Sequence, residues 1–167
     1  MIEHYIISGS GRTGHLLLAS IIESAGTSVI PTHDPAYSTG NDSTTALIMV
    51  DRRDVFATVM SNLIVWHSNQ STEYTKIVEP YNECEQQFRL LYRLHKEYLP
   101  QHDLTRPYGL VEMFYYEDFV NDHNHVLNRL GLTAVTSITT VPAPYNYRDI
   151  ILNHEELRQV YESLRQQ

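Results

Sequence analysis

One segment near the start of the chain restricts the fold more than any other: Ile7 to Leu18 reads ISGSGRTGHLLL. Three glycines, Gly9, Gly11 and Gly14, separate a short apolar run from a second apolar run with helical spacing. A strand that passes through a glycine-rich loop into a helix leaves backbone N–H groups at the helix start, where they bind anions. The segment therefore predicts a strand, a phosphate-binding loop and a helix, in that order.

Short apolar runs alternate with segments of helical periodicity along the rest of the chain. The predicted strands cover residues 4–7, 27–31, 46–50 and 108–116. The predicted helices cover residues 16–24, 54–66, 82–99 and 119–132, with Gly26 and Gly131 as stops and Asn153 as the cap of a last helix. This alternation predicts an α/β fold, a single P-loop-type domain over residues 1–167 with a mostly parallel sheet of about four to five strands flanked by helices.

Charge and composition exclude several classes of protein. The formal net charge is −8, and lysines and arginines cluster only at Arg52 and Arg53, so a nucleic-acid-binding surface is not expected. No apolar run has the length of a membrane span, and no signal peptide is recognisable at the N-terminus. The single cysteine, Cys84, excludes an internal disulfide. We therefore expect a cytoplasmic protein that binds neither nucleic acid nor membrane.

The positions of the cationic residues point to one anion site. Only Arg12, Arg52 and Arg53 precede Lys76 among the lysines and arginines. Arg12 lies inside the glycine loop, and the other two directly follow the third predicted strand. In an acidic chain, cations restricted to strand ends indicate a local site for a compact anion. We expect Arg12 and Arg53 at the carboxyl ends of adjacent parallel strands, facing one cleft.

Two familiar loop types fit these glycines in part. Gly9-x-Gly11-x-x-Gly14 has the spacing of a dinucleotide-binding fingerprint, and Asp34 is available for a ribose, although it lies beyond a proline. The G-x-x-x-x-G spacing also fits a Walker A loop, but His15-Leu16 stands where that loop has lysine and a hydroxyl residue. Magnesium-dependent nucleotide hydrolysis is therefore not expected, and no metal site is predicted.

The second half of this loop, together with residues further along the chain, resembles a family of enzymes, the sulfotransferases that use 3′-phosphoadenosine 5′-phosphosulfate (PAPS). The run from Arg12 to Leu18, RTGHLLL, is similar to that family's 5′-phosphosulfate loop, except at His15 and Leu16, where two hydroxyl residues are usual. Arg53 and Ser61, eight residues apart in RRDVFATVMS, match its 3′-phosphate arginine and serine. The resemblance implies a PAPS-binding set made of Gly11, Arg12, Thr13, Gly14, His15, Leu16, Arg53 and Ser61.

The segment THDP (32–35) extends the resemblance, because the family carries T-H-L-P about twenty residues before its 3′-phosphate arginine. The resemblance implies that His33 is the catalytic base and that Arg12 stabilises the transferring sulfuryl group, with no metal required. FYYEDFV (114–120) is similar to the family's segment at the end of the fourth strand, whereas its C-terminal R-K-G loop is not found. The implied acceptor is a hydroxyl or an amine of a small molecule.

Two other hypotheses stay open at this point. His15-Leu16 and the missing R-K-G loop are also compatible with a non-catalytic nucleotide-binding or interaction module of the same fold. A Rossmann-type protein that binds NAD through Asp34 is the third. The sequence identifies neither the acceptor nor the oligomeric state.

Overall fold

The computed structural model describes residues 1–40, 42–68, 78–134 and 146–167. Four strands are present in this part of the chain: β1 (His4–Gly9), β2 (Ser28–Thr32), β3 (Thr45–Asp51) and β4 (Leu110–Tyr115). The helices are α1 (His15–Glu23), α2 (Val55–Ser68), α3 (Glu85–Tyr98), α4 (Tyr116–Phe119), α5 (His123–Arg129), α6 (Tyr147–Ile150) and α7 (His154–Arg165). Asp42–Thr44 and Leu99–Gln101 form short 3₁₀ turns. Every predicted strand is found, with boundaries close to the predicted ones.

The described strands form one all-parallel sheet in the order β2-β1-β3-β4. His4 lies opposite Thr45 and Gly9 opposite Val50, so β1 and β3 end at the same edge. The predicted fold class, an α/β fold with a parallel sheet flanked by helices, is confirmed. The chain divides into two compact units, Met1–Arg53 with Glu97–Thr140 and Asp54–Lys96 with Val141–Gln167. Because the structure divides the chain in this way, a single domain over residues 1–167 remains a prediction.

The core of the first unit lies between one face of the sheet and helices α1, α4 and α5. Tyr5 and Ile7 alternate with Ile6 along β1, and all three side chains are buried, as the continuous apolar run predicts for a strand covered on both faces. Burial of each large aliphatic side chain stabilises the fold by about 1.5–3 kcal/mol. Tyr5 and Ile7 belong to this core together with Leu18, Ala19, Ile21, Ile22, Ala46, Ile48, Val50, Phe114, Phe119, Val126 and Leu127.

The helix predicted over residues 119–132 is wrong as a single element. The structure has two short helices there, because the Asp122 side chain accepts the N–H of His125 and starts a new helix. The predicted end is correct: the N–H of Gly131 bonds the carbonyl of Asn128, and the N–H of Leu132 bonds that of Leu127. This pair of bonds is a Schellman motif, which ends the helix and satisfies its last carbonyls.

The second unit has its own core around Phe56, in α2. Its ring packs against Phe88, Tyr147 and Tyr161, and the Arg158 guanidinium lies 3.9 Å from its centre. Asn153 precedes α7, as predicted, but its side chain does not cap the helix. Instead, Asn153 accepts the N–H of Glu83 at 2.8 Å and donates to the Glu83 carbonyl at 2.9 Å, which ties α7 to the segment before α3.

Gly14, which precedes α1, combines a left-handed backbone with a close neighbour. Its φ is 90°, and a methyl group there would overlap Cδ2 of Tyr116. We expect Gly14→Ala to lower the free energy of unfolding by about 2–5 kcal/mol, the sum of left-handed strain and overpacking. Gly26→Ala is the matched control, because Gly26 has a φ of 81° and open space around it; its cost should be about 1–2 kcal/mol. Equal losses in urea denaturation would show that Tyr116 does not restrain the loop.

Candidate functional site

The strand order changes direction at the carboxyl ends of β1 and β3. From β1 the chain turns through α1 to β2 on one side, whereas β3 lies on the other side of β1 and leads on to β4. Where neighbouring parallel strands send their connections in opposite directions, the loops at their carboxyl ends diverge and leave room for a ligand. In this chain the two loops are residues 9–14, called the glycine loop below, and residues 52–54.

The glycine loop has a tight, partly left-handed backbone. Arg12 has a φ of 65°, which is uncommon for a residue with a side chain, and Gly14 has a φ of 90°. Thr13 is buried, and its hydroxyl donates to the carbonyl of Ser10 at 2.8 Å. Gly11 is half-buried in the middle of the loop. The hydroxyl proton of Thr13 therefore closes the loop, and the backbone supplies the donors for a ligand.

Helix α1 begins directly at this loop. Leu18 donates the first helical hydrogen bond, to Gly14, so the N–H groups of His15, Leu16 and Leu17 precede the helical ladder. Gly14, the residue before the helix, makes no side-chain cap, and the first turn of α1 contains no acidic residue. The side chain of Leu16 is exposed. This end of α1 carries the positive pole of the helix dipole and suits an anion.

Two arginines converge on this edge of the sheet. Burial lowers the pKa of Arg12, the nearby charge of Arg52 lowers it further, and Tyr116 acts in the opposite direction. The Arg52 guanidinium lies 4.4 Å from the centre of the Tyr116 ring. Two cations close enough to repel each other beside a helix N-terminus form a site that an anion would stabilise.

Arg52 is the site residue that the sequence analysis missed. It was grouped with Arg53, but only Arg53 was assigned to the anion. The alternation of side chains along β3 could have identified it. Ile48 and Val50 face the core beneath α1, and Arg52 follows at the same two-residue interval. Its side chain therefore lies on the side of the sheet where α1 and its loop begin.

Arg53 faces a different set of groups. Its guanidinium forms a 2.7 Å ion pair with Asp118 and lies 4.7 Å from the centre of the Tyr115 ring, while its backbone N–H donates to Glu117. The hydrogen bond to Asp118 raises the pKa of Arg53. Ser61 lies half-buried in α2 of the second unit. The pairing of Arg53 with Ser61 around one phosphate stays a prediction.

His33 lies against the glycine loop. Its Nδ1 is 2.8 Å from the carbonyl oxygen of Gly9, and its ring centre is 4.2 Å from that of His15. Because a carbonyl only accepts, Nδ1 carries the proton, and Nε2 is the basic nitrogen of the neutral ring. Asp34 next to it forms a turn, in which its carboxylate accepts the N–H of Ala36 at 2.9 Å. The geometry thus presents a base at the glycine loop.

His15 is the second imidazole of the site and is only 4% exposed. Its Nδ1 is buried without a hydrogen-bond partner among the described residues. Burial first, and then the charges of His33 and Arg12, lower its pKa to about 4. The ring is therefore neutral at pH 7, and its unsatisfied nitrogen lies beside the N-terminus of α1.

Comparison of the chain with protein-family models, curated proteins and solved structures finds no match. Within the described ranges, no group of three His, Cys, Asp or Glu side chains is arranged to hold a metal ion. None of the helices described is long and apolar enough to cross a membrane.

The low pKa of His15 makes stability depend on pH. Between about pH 6.5 and pH 4 the unfolded chain binds a proton at His15 that the native state does not bind. The free energy of unfolding should therefore fall as the pH drops through this range, by about 2–3 kcal/mol from this residue. Urea denaturation at pH 7 and pH 4.5 should show a smaller fall in His15→Gln than in the wild type. An NMR titration of His15 with a midpoint near 6.5 would contradict the burial of this ring.

Proposed function

We propose that the protein is a sulfotransferase that moves a sulfuryl group from PAPS to a hydroxyl or amine of a small molecule. The observation that carries the proposal is the convergence of Arg12 and Arg52 on the N-terminus of α1, with His33 hydrogen-bonded to the same loop. Two guanidinium groups and a row of backbone N–H groups match a phosphosulfate, which presents two adjacent anionic groups. The base beside them matches an acceptor that must lose a proton.

In this reaction the acceptor oxygen or nitrogen attacks sulfur, the bond from sulfur to the phosphate oxygen breaks, and adenosine 3′,5′-bisphosphate leaves. The N–H groups at the start of α1 hold the 5′-phosphate. Arg12 and Arg52 stabilise the charge that develops between the sulfuryl group and the leaving phosphate. Nε2 of His33 takes the acceptor's proton. Positioning and fixed charges contribute most of the rate enhancement, and a general base adds about 10²–10⁴-fold.

Arg53 would hold the 3′-phosphate. Asp118 is paired with Arg53 at 2.7 Å. A bound phosphate would therefore replace this carboxylate on the guanidinium, exchanging one charge-assisted pair for another. Because the Arg53 side chain is 55% exposed, the exchange requires little desolvation.

One observation favours a second candidate, a nucleotide-binding module without transfer activity. The Thr13 hydroxyl donates inside the loop, and the neighbouring side chain of Leu16 is apolar. The 5′-phosphate would then be held by backbone groups, and its orientation for transfer would be less defined. The NAD-binding alternative is disfavoured: the Rossmann order places β1 between β2 and β4, whereas here β1 lies between β2 and β3.

The proposal predicts that adenosine 3′,5′-bisphosphate binds without added metal. At about 100 times its Kd, the bisphosphate should raise Tm by about 5–10 °C. Arg52→Ala should weaken binding about 10- to 100-fold, because it removes a charge-assisted contact. Arg53→Ala should weaken it comparably through the 3′-phosphate. Thermal denaturation and calorimetric titration provide the measurements.

Arg129→Ala is the matched control for both variants. Arg129 also pairs with a carboxylate, that of Glu112, and lies 4.5 Å from an aromatic ring centre, but on α5. Its replacement should leave the Kd unchanged. Equal binding by the wild type and Arg52→Ala would refute the proposed anion site. A wild type that binds NAD but not the bisphosphate would refute the sulfotransferase proposal altogether.

Transfer activity depends on His33 in a way that binding does not. His33→Asn keeps a side-chain N–H for the Gly9 carbonyl but lacks the basic nitrogen. We expect turnover to fall about 10²–10⁴-fold, with the Kd for the bisphosphate nearly unchanged. Formation of the bisphosphate from PAPS is measured with a panel of phenols, alcohols and amines. His4→Asn, at the opposite end of β1, is the control. Tight binding without turnover on any acceptor would favour the non-catalytic module.

A further inference from the structure

Three polar side chains that the proposed mechanism does not use meet beneath the end of β1. Ser8, Tyr98 and His102 are 1%, 9% and 7% exposed, and all belong to the first unit. The Ser8 Oγ lies 2.8 Å from the Tyr98 hydroxyl and 2.9 Å from Nε2 of His102. Nδ1 of His102 lies 3.0 Å from the carbonyl oxygen of Leu99. This cluster is a continuous chain of hydrogen bonds.

The donor and the acceptor of each hydrogen bond in this cluster can be assigned by starting at the carbonyl of Leu99. The carbonyl of Leu99 only accepts, so Nδ1 of His102 donates and Nε2 of the neutral ring accepts. Ser8 must then donate its proton to Nε2 and accept from the Tyr98 hydroxyl. The oxygen of Tyr98 is left to accept a further bond, and the backbone of Gly9 makes it. The order of donors thus runs from the backbone of Gly9 to the carbonyl of Leu99.

We propose that Tyr98 and His102 are positioning residues that fix the first residue of the glycine loop through Ser8 and Gly9. The proposal rests on the proposed function in that the loop is taken to bind PAPS. Gly9 has two fixed partners: its carbonyl is bonded to His33, and its backbone is also bonded to Tyr98. The base and the buried chain of hydrogen bonds are therefore held by the same peptide unit.

These hydrogen bonds can restrain the position of the glycine loop because the cluster is buried. Water does not replace a lost partner easily at sites less than a tenth exposed, so each bond restrains its neighbours. Removal of the Tyr98 hydroxyl leaves Ser8 without a donor and Gly9 without an acceptor. The loop then loses its fixed starting point, while the apolar contacts of the Tyr98 ring remain.

The test compares Tyr98→Phe with Tyr5→Phe. Tyr5 is a buried tyrosine of β1, the strand that also carries Ser8; it is 5% exposed, and no side-chain hydrogen bond of its hydroxyl is found among the described residues. Tyr98→Phe should raise the Kd for adenosine 3′,5′-bisphosphate about fivefold and Tyr5→Phe less than twofold. His102→Gln, which keeps an acceptor for Ser8, should bind more tightly than His102→Leu. Equal Kd values for wild type and Tyr98→Phe would overturn the proposal.

Two measurements need no ligand, and they distinguish a failure of this proposal from a failure of the proposed function. The ¹⁵N spectrum of His102 should show Nδ1 protonated and Nε2 unprotonated; the opposite tautomer would overturn the bond order. Hydrogen exchange at the amides of Ser8 and Gly9 should be at least about fivefold faster in Tyr98→Phe than in Tyr5→Phe. Unchanged exchange would refute the positioning role. If the wild type binds no bisphosphate but the exchange rates differ as expected, the proposed function fails and the positioning of the loop stands.

Discussion

Strand β1 is hydrogen-bonded to β2 on one side and to β3 on the other, and the positions of the site residues follow from that pairing. A strand with neighbours on both edges and apolar side chains on both faces cannot shift its register without exposing its core. With this register the chain leaves the sheet at Gly9 and enters α1 at His15. Arg12 and Gly14 adopt left-handed conformations in that interval, and the first N–H groups of α1 lie at the sheet edge as a result.

The electrostatics of the site follow from the same geometry. The chain has a formal net charge of −8, yet Arg12 and Arg52 come together where the helix dipole is also positive. Their proximity disfavours the charged state of Arg12, and an anion bound there would compensate for it. His15 adds a polar nitrogen without a further charge, because burial holds its pKa at about 4. Arg53, one residue beyond Arg52, is instead neutralised locally by Asp118. Two adjacent arginines thus have different partners: Arg52 lies over the Tyr116 ring, whereas Arg53 pairs with Asp118 and lies over the Tyr115 ring.

The sequence was sufficient to predict those elements of the structure that depend on local patterns of residues. Apolar runs predicted the four strands, and helical periodicity with glycine predicted the end of α5. It was insufficient where a side chain has two possible partners. Asn153 was expected to cap α7 but bonds the backbone of Glu83, 70 residues away in the chain. The glycine loop was predicted, but the bond of the Thr13 hydroxyl to Ser10 and the place of Arg52 beside Tyr116 were not.

The hydrogen-bonded cluster of Ser8, Tyr98 and His102 shows most clearly why the sequence alone does not reveal such partners. Tyr98 and His102 lie 90 and 94 residues from Ser8, and each has an ordinary helical or turn context that suggests no special role. Only the folded sheet brings them together, and only then do the donors and acceptors determine a single order.

The donors found at the sheet edge also bear on the chemistry of transfer. Phosphoryl transfer in P-loop proteins uses a lysine and a magnesium ion to neutralise a highly charged terminal phosphate. A sulfuryl group in a phosphosulfate carries less charge, so under the proposed function two guanidinium groups and the helix N–H groups would be its complement, without a metal ion. A lysine–magnesium pair would add positive charge beside Arg12, whose charged form burial already disfavours. His15 stands at the position of that lysine, and because its pKa is lowered to about 4 it is neutral at pH 7; under the proposed function it would leave the charge of the site unchanged.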